Sequence, residues 1–227
     1  GSAARRRFLD RLVLALSPQH ARHSSRYEKA MQQRNKLLSG TVPADPLWLD
    51  ALEQQMADSA HAIQAARTGL VDALRDQLQS APSGPFAVPL ISLVDKAGPT
   101  EGDLAVIWRQ GRNRDAAAGR TLFGPHRADL DVIHKDSGQM AEQCSTGEQK
   151  ALLLSLILAH AALVSAQRQA PPILLLDEVA AHLDPSRRAA LFALLAETGA
   201  QVWMTGTEPE LFNGIGPSAQ LLPVGQN

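Results

Sequence analysis

The run Ile173-Leu174-Leu175-Leu176-Asp177-Glu178 sets two adjacent carboxylates at the end of an apolar segment that reads as a buried strand. That arrangement suits metal-assisted phosphoryl transfer. Asp177 would reach a Mg2+ ion directly or through water, and Glu178 would orient and deprotonate an attacking water. An acidic turn after a buried strand is the plainer reading of a lone Asp-Glu pair. Two further stretches favour the chemical one: Ala181-His182-Leu183-Asp184 just downstream and Cys144-Ser145-Thr146-Gly147-Glu148-Gln149-Lys150 upstream. Ser145, Thr146 and Gly147 stand where a long helix begins, so free N–H groups and the positive dipole end would suit a phosphate. The same residues also make an ordinary helix cap, with Glu148 favouring the dipole. No G-x-x-x-x-G-K-[ST] loop, the backbone cradle for phosphates, occurs in the 227 residues. The chemistry legible here is therefore one half of a site.

The elements that must position these residues fall into two regions. Phe8, Leu9, Leu12, Val13 and Leu16 recur at helical spacing before Ser17-Pro18. A second helix is expected from Pro18 to Leu38, with Tyr27, Met31, Arg34 and Leu38 on one face. From Pro46 to Ser80 an approximate heptad predicts a long helix, either a hairpin arm with coiled-coil packing or an amphipathic helix on a globular core. Ala81-Pro82-Ser83-Gly84-Pro85 is turn chemistry that marks a change of architecture. Beyond it, Val88–Val94, Leu104–Arg109, Thr121-Leu122 and Leu130–His134 read as short strands, with a loop or short helix over Arg112–Gly119. Then follow a helix from Thr146 to about Gln167, a strand over Ile173–Leu176, a helix over Pro185–Glu197, a strand over Gln201–Thr205, and a possible short strand over Gln220–Val224. Strand, helix and strand imply a parallel sheet, and such a sheet needs more strands than this segment supplies.

Lys and Arg total 22 against 23 Asp and Glu, so net charge argues neither for nor against a nucleic-acid partner. The distribution is uneven: from Arg5 to Lys36 nine basic residues face two acids, a local balance of +7. Such a patch can grip phosphates or be a solvated helix face. A single cysteine, Cys144, excludes an intrachain disulfide and fits a reducing, cytoplasmic setting. The longest apolar run, Ala151 to Val164, contains His160 and is expected to be too short for a membrane span. His160, Cys144, Trp48 and Trp203 read as packing residues, the tryptophans as core or hinge. Arg127 is expected to pair with Asp129 or Asp131 beside the Gly124-Pro125 turn, the alternative being contact of His126 and Arg127 with nucleotide, DNA or a neighbouring element.

These residues carry a resemblance. Cys144 to Gln149 resembles the signature motif of ABC-type ATPases, Asp177-Glu178 their Walker B pair, and Ala181-His182-Leu183-Asp184 their D-loop. Within that superfamily the chain is similar to the RecF family of bacterial recombination-repair proteins. The likeness extends through Arg5-Arg6-Arg7-Phe8-Leu9-Asp10, Gln33-Arg34-Asn35, Phe123-Gly124-Pro125-His126-Arg127-Ala128-Asp129-Leu130 and Gln201 to Thr207. It implies an α/β fold, part of a P-loop (ABC-type) ATPase head with an inserted, mainly helical arm domain. Residues 1–16 would end the N-terminal portion of the head, 17–119 would form the arm with a small β part, and 120–227 the C-terminal lobe. The cofactors implied are ATP and Mg2+. Asp177 would hold the metal and Glu178 act as base; Ser145, Thr146, Gly147, Glu148 and Gln149 would close over ATP held by the partner of an ATP-dependent homodimer. Asp184 would lie at the dimer seam, and Thr205, where transporters of the superfamily carry a His, could donate to the γ-phosphate. The partners implied are DNA at gaps or single-strand/double-strand junctions, RecR and RecO, with RecA loaded as a result, and no membrane. Lacking the P-loop, the chain alone is expected to bind ATP weakly or not at all. A non-catalytic DNA- or partner-binding module is the alternative, and a transporter nucleotide-binding subunit a more distant one.

Overall fold

A computed structural model of the chain describes residues 1–80, 86–95, 102–181 and 183–225. The turn expected at Ala81–Pro85 and residue His182 of the D-loop-like stretch lie outside them. Two compact units emerge, Gly1–Ala73 with Ile91–Asp131, and Leu74–Leu90 with Val132–Asn227.

In the first unit, α1 (Ser2–Leu16) buries Leu9, Leu12 and Val13, the i, i+3, i+4 face read from the sequence. Helix α2 (His20–Leu38) buries Tyr27, Ala30 and Arg34. Helix α3 (Pro46–Ser80) begins with proline at its first position, where no N–H is needed, and Asp45 Oδ1 accepts the Leu47 N–H at 2.9 Å. Its Leu52, Met56, Ala57, Ala60 and Ile63 pack with Tyr27, Ala30, Leu104, Ala105 and Trp108, so this stretch is an amphipathic helix seated in a core.

Leu104–Arg109 is not a strand. It opens helix α4 (Leu104–Ala118), capped by Asp103, whose side chain accepts the Ala105 N–H, and closed by Gly119 in the left-handed region at φ 64°. The strand reading placed Leu104, Val106 and Trp108 on one face. In the fold Val106 is 41% exposed while Leu104, Ala105 and Trp108 are buried, which is a helical pattern. Thr121-Leu122 is irregular backbone, as is Gln220–Val224. Strands β1 (Pro89–Asp95) and β2 (Ala128–His134) form a two-stranded sheet.

The second unit holds α5 (Thr146–Arg168), β3 (Leu174–Leu176), α6 (Pro185–Glu197) and β4 (Val202–Met204). Strands β3 and β4 pair in parallel, with Leu174 opposite Val202, Leu175 opposite Trp203 and Leu176 opposite Met204. Leu174 joins Ala151, Leu154 and Ala161 of α5 and Leu191, Phe192 and Leu195 of α6 in one core. On the other face Leu175 is 77% and Trp203 51% exposed. Trp203 is thus a surface residue, as is Trp48 at 56%, which corrects the core half of the core-or-hinge expectation. Helix α5 corrects a further expectation. By length and composition it could cross a bilayer, yet Ala151, Leu154 and Ala161 are engaged in this core. His160 and Cys144 are buried, as read.

Candidate nucleotide site and its surroundings

Parallel pairing of β3 with β4 continues one step beyond the strands, where the Thr205 N–H donates to Leu176 O at 3.1 Å. This registers Thr205 beside the two carboxylates. The Thr205 hydroxyl donates to Asp177 Oδ1 in a short contact, and the Glu178 N–H donates to Thr205 Oγ1 at 3.1 Å. Glu178 has φ 48°, a left-handed conformation that costs a non-glycine residue roughly 1–3 kcal/mol and is held here by that hydrogen bond. Asp177, Glu178 and Thr205 are all exposed. One hydroxyl thus fixes the orientation of the first acid and the backbone of the second.

Asp177 Oδ2 has no protein partner among the described residues, and none of these residues forms a group of three or more His, Cys, Asp or Glu suited to a metal. That donor set fits Mg2+ held by one carboxylate, with phosphate oxygens and water completing its shell. The fit depends on a bound phosphate.

At the start of α5 the capping reading is realised. Ser145 Oγ accepts the Glu148 N–H at 3.3 Å, while Glu148 Oε2 accepts the Ser145 N–H at 2.8 Å and the Ser145 hydroxyl at 2.7 Å. The Ser145 hydroxyl and N–H hold the Glu148 carboxyl below the ordinary value. Thr146 and Gly147 occupy the first turn, and Gln149 Nε2 donates to Cys144 O at 2.9 Å. Asp184 caps α6, accepting the Arg187 N–H at 2.9 Å, with the Arg187 guanidinium 3.6 Å from its other oxygen. Both helix starts are thus self-capped.

In the first unit, the stretches that carried the narrower likeness meet. Arg34 is fully buried and donates to Glu53 (2.9 Å), Asp115 (2.6 Å), Thr121 Oγ1 (3.1 Å) and Trp108 O (2.8 Å). Arg112 adds two contacts to Glu53, at 3.0 and 2.5 Å. His126 Nε2 faces Thr121 O at 3.0 Å; a carbonyl only accepts, so Nε2 carries the proton and Nδ1 accepts from the Tyr27 hydroxyl at 2.8 Å. Burial pushes the His126 imidazole below its ordinary value, despite the Thr121 carbonyl, and Arg127 and Arg6 act in the same direction as burial. Gly124, at φ 132°, lies where a Cβ would run into the Tyr27 hydroxyl and come within 3.1 Å of Trp108. Asp10 accepts from Arg67 at 2.8 and 2.9 Å and from His20 at 2.8 Å. Burial would raise its carboxyl, but the His20 and Arg67 hydrogen bonds outweigh this and hold it below the usual range.

The pairing expected of Arg127 is corrected: Asp129 takes Arg5 instead, at 3.0 and 2.6 Å. Arg127 has no carboxylate partner among the described residues. Arg34 and Arg67 were not singled out as structural ion-pair centres. Arg34 did lie on the apolar face with Tyr27 and Met31, and a charge on a buried stripe is the signal that finds such a residue.

No family model matches the chain. Curated relatives do. A DNA replication and repair protein RecF of Rhizobium rhizogenes is 48% identical over 233 residues, covering 99% of this chain and 62% of the relative. One of Rhizobium meliloti is 49% identical over 234 residues, covering 98% and 62%. The chain therefore spans less than two thirds of these relatives. A solved structure of the recombination mediator protein RecF with ATP matches with a TM-score of 0.74 at 20% identity, covering 92% of this chain and 59% of that one. This likeness bears out the α/β fold, which the chain shares with the corresponding part of that structure. Over nearly its whole length the chain is thus similar to the C-terminal portion of RecF proteins.

Proposed function

We propose that this chain is the signature-bearing part of an ATP-dependent DNA-repair ATPase, completed by a P-loop lobe. The observation that carries the reading is the clamp at the end of the parallel strands, where Thr205 fixes Asp177 and the backbone of Glu178. Asp177 holds Mg2+ and Glu178 serves as general base in the same subunit. Ser145, Thr146, Gly147, Glu148 and Gln149 face ATP bound to the partner of a homodimer, with Asp184 at the seam. The exposed pair Leu175 and Trp203 supports further structure over the two-stranded sheet, and we assign that cover to the remaining portion of the head. Residues 1–16 and 120–227 are the parts assigned to the head and 17–119 to the arm. The complete protein acts on gapped or single-strand/double-strand DNA with RecO and RecR, loads RecA, and works in the cytoplasm.

The test is Mg-ATP hydrolysis by this chain alone and mixed with a polypeptide supplying the P-loop lobe. Turnover only in the mixture, abolished by Glu178→Gln with ATP-driven dimerisation retained, is the expected result. Normal turnover by that variant would sink the base assignment. A non-catalytic DNA-binding reading draws on exposed Arg7, Arg11, Arg22, Arg26 and Lys29 of α1 and α2. Salt-dependent DNA binding without nucleotide, and no turnover in the mixture, would favour it.

A further inference from the structure

The first unit contains a hollow of about 310 Å³ walled by Arg6, Arg120 and Arg127, with Ser2, Asn35 and His126 among its other lining residues and no carboxylate. A neighbouring hollow of about 280 Å³ also presents arginines, but Asp10 and Glu28 line it as well. The difference follows from how the nearby acids are used. Asp129 faces Arg5 and also accepts the Leu130 N–H. Asp115 is shared between Arg34 and the Leu122 N–H. No carboxylate among the described residues pairs with Arg6, Arg120 or Arg127; Arg6 makes one hydrogen bond, to Ala128 O at 3.2 Å.

The rest of the wall is built to donate. Asn35 Oδ1 accepts the Thr121 hydroxyl at 2.7 Å, which turns the amide oxygen to that partner and leaves the NH2 group with no acceptor among the described residues. His126 is satisfied on both nitrogens, so it contributes shape and a neutral surface. Three guanidiniums in one hollow repel one another unless an anion lies between them, and planar forks of N–H donors match phosphate oxygens.

We propose that this hollow is a phosphate-binding site, with Arg120 and Arg127 as its principal contacts, Arg6 and the Asn35 amide completing it. The site lies wholly within the first unit, and its existence does not rest on the nucleotide reading. The ligand is a phosphate group, either free or on a nucleic acid.

The experiment uses the 227-residue chain and compares the wild type, R120A/R127A, R120K/R127K, and R114A/K135A, a control that removes equal charge from exposed positions outside the hollow. Binding of inorganic phosphate is measured by calorimetry, and binding of gapped duplex DNA with a 5′-phosphate or 5′-hydroxyl by anisotropy at several salt concentrations. Each lost charged contact is expected to weaken binding about tenfold or more. R120A/R127A should therefore bind at least one probe about a hundredfold more weakly, with an unchanged melting temperature. On duplex DNA the magnitude of the log–log salt slope should fall by about 1.8. R120K/R127K, which keeps charge but not the fork, should fall between the two, so the result survives poor folding of the alanine variant. Loss with inorganic phosphate alone assigns a free ligand. Loss confined to 5′-phosphorylated DNA assigns a terminal phosphate, and equal loss on both DNAs an internal one. Equal binding by the wild type and R120A/R127A for every probe overturns the proposal, as does an equal loss in R114A/K135A, which would reduce the effect to bulk charge.

Discussion

Replacing Arg34 with methionine tests the most concentrated set of interactions in the molecule. Methionine keeps much of the buried stem and removes four donated hydrogen bonds, two of them to carboxylates. The two acids are left in different states. Glu53 retains both contacts from Arg112, whereas Asp115, also buried, keeps only the Leu122 N–H. The cost is therefore that of one orphaned buried carboxylate, about 3–5 kcal/mol, not two. That is a large part of the total stability of a domain, about 5–15 kcal/mol. Urea denaturation at neutral pH, followed by circular dichroism, measures it. The second substitution D115N removes the orphaned charge, so R34M/D115N should be more stable than R34M alone by at least about 1 kcal/mol, a coupling typical of contacting groups. A loss below about 1 kcal/mol in R34M, with no recovery in the double variant, would falsify the view that this cluster is closed to water and held by Arg34.

Thr205→Val keeps the shape of the side chain and removes the hydroxyl that joins Asp177 to Glu178; turnover in the completed protein should fall at least about tenfold, since one charge-assisted hydrogen bond contributes about 1.5–3 kcal/mol, with melting little changed. Gly124→Ala places a methyl against the Tyr27 hydroxyl at φ 132°, and a loss of roughly 1–3 kcal/mol is expected in thermal or urea denaturation; wild-type stability would contradict the packing described. The depressed His126 gives a pH signature. Unfolded His binds a proton near about 6.5 and the folded imidazole does so only at lower pH, so its contribution is present above that value and is lost as pH falls through the folded one. Stability measured from pH 7.5 to 5.5 should therefore decline more steeply in the wild type than in H126Q, and parallel curves would refute the assignment.

How far the sequence foretold this structure depended on whether the deciding interaction was local. Proline at the first position and a coherent apolar stripe gave α3 and α6 their limits, because both signals lie within the helix itself. Leu104–Arg109 is misread as a strand because Leu104, Val106 and Trp108 fit a two-residue repeat as well as Leu104, Ala105 and Trp108 fit a helical one, and the Asp103 cap that decides the matter carries little weight in a short apolar run. Trp48 and Trp203, read from the sequence as core or hinge packing, are both exposed. For Trp203 the opposite face of β4 depends on strands that two pairing elements do not supply. At the site, the order of the motifs pointed to Asp177 and Glu178, but the role of Thr205 needed the parallel register, a non-local fact. The partners of Arg34 lie 19 to 87 residues away, beyond any periodicity argument.

The box at the start of α5 also sets a condition on what can dock there. Ser145 has one hydroxyl proton and one N–H, and a single oxygen of Glu148 receives both. An arriving anion that needs either donor must first displace a charge already in place, so weakly charged solutes meet a filled seat. A multiply charged group can compete, and once it does, Glu148 is released as a free carboxylate beside it. The end of the helix then behaves as an exchange of one anion for another, in which entry of the ligand and expulsion of an internal acid are the same event.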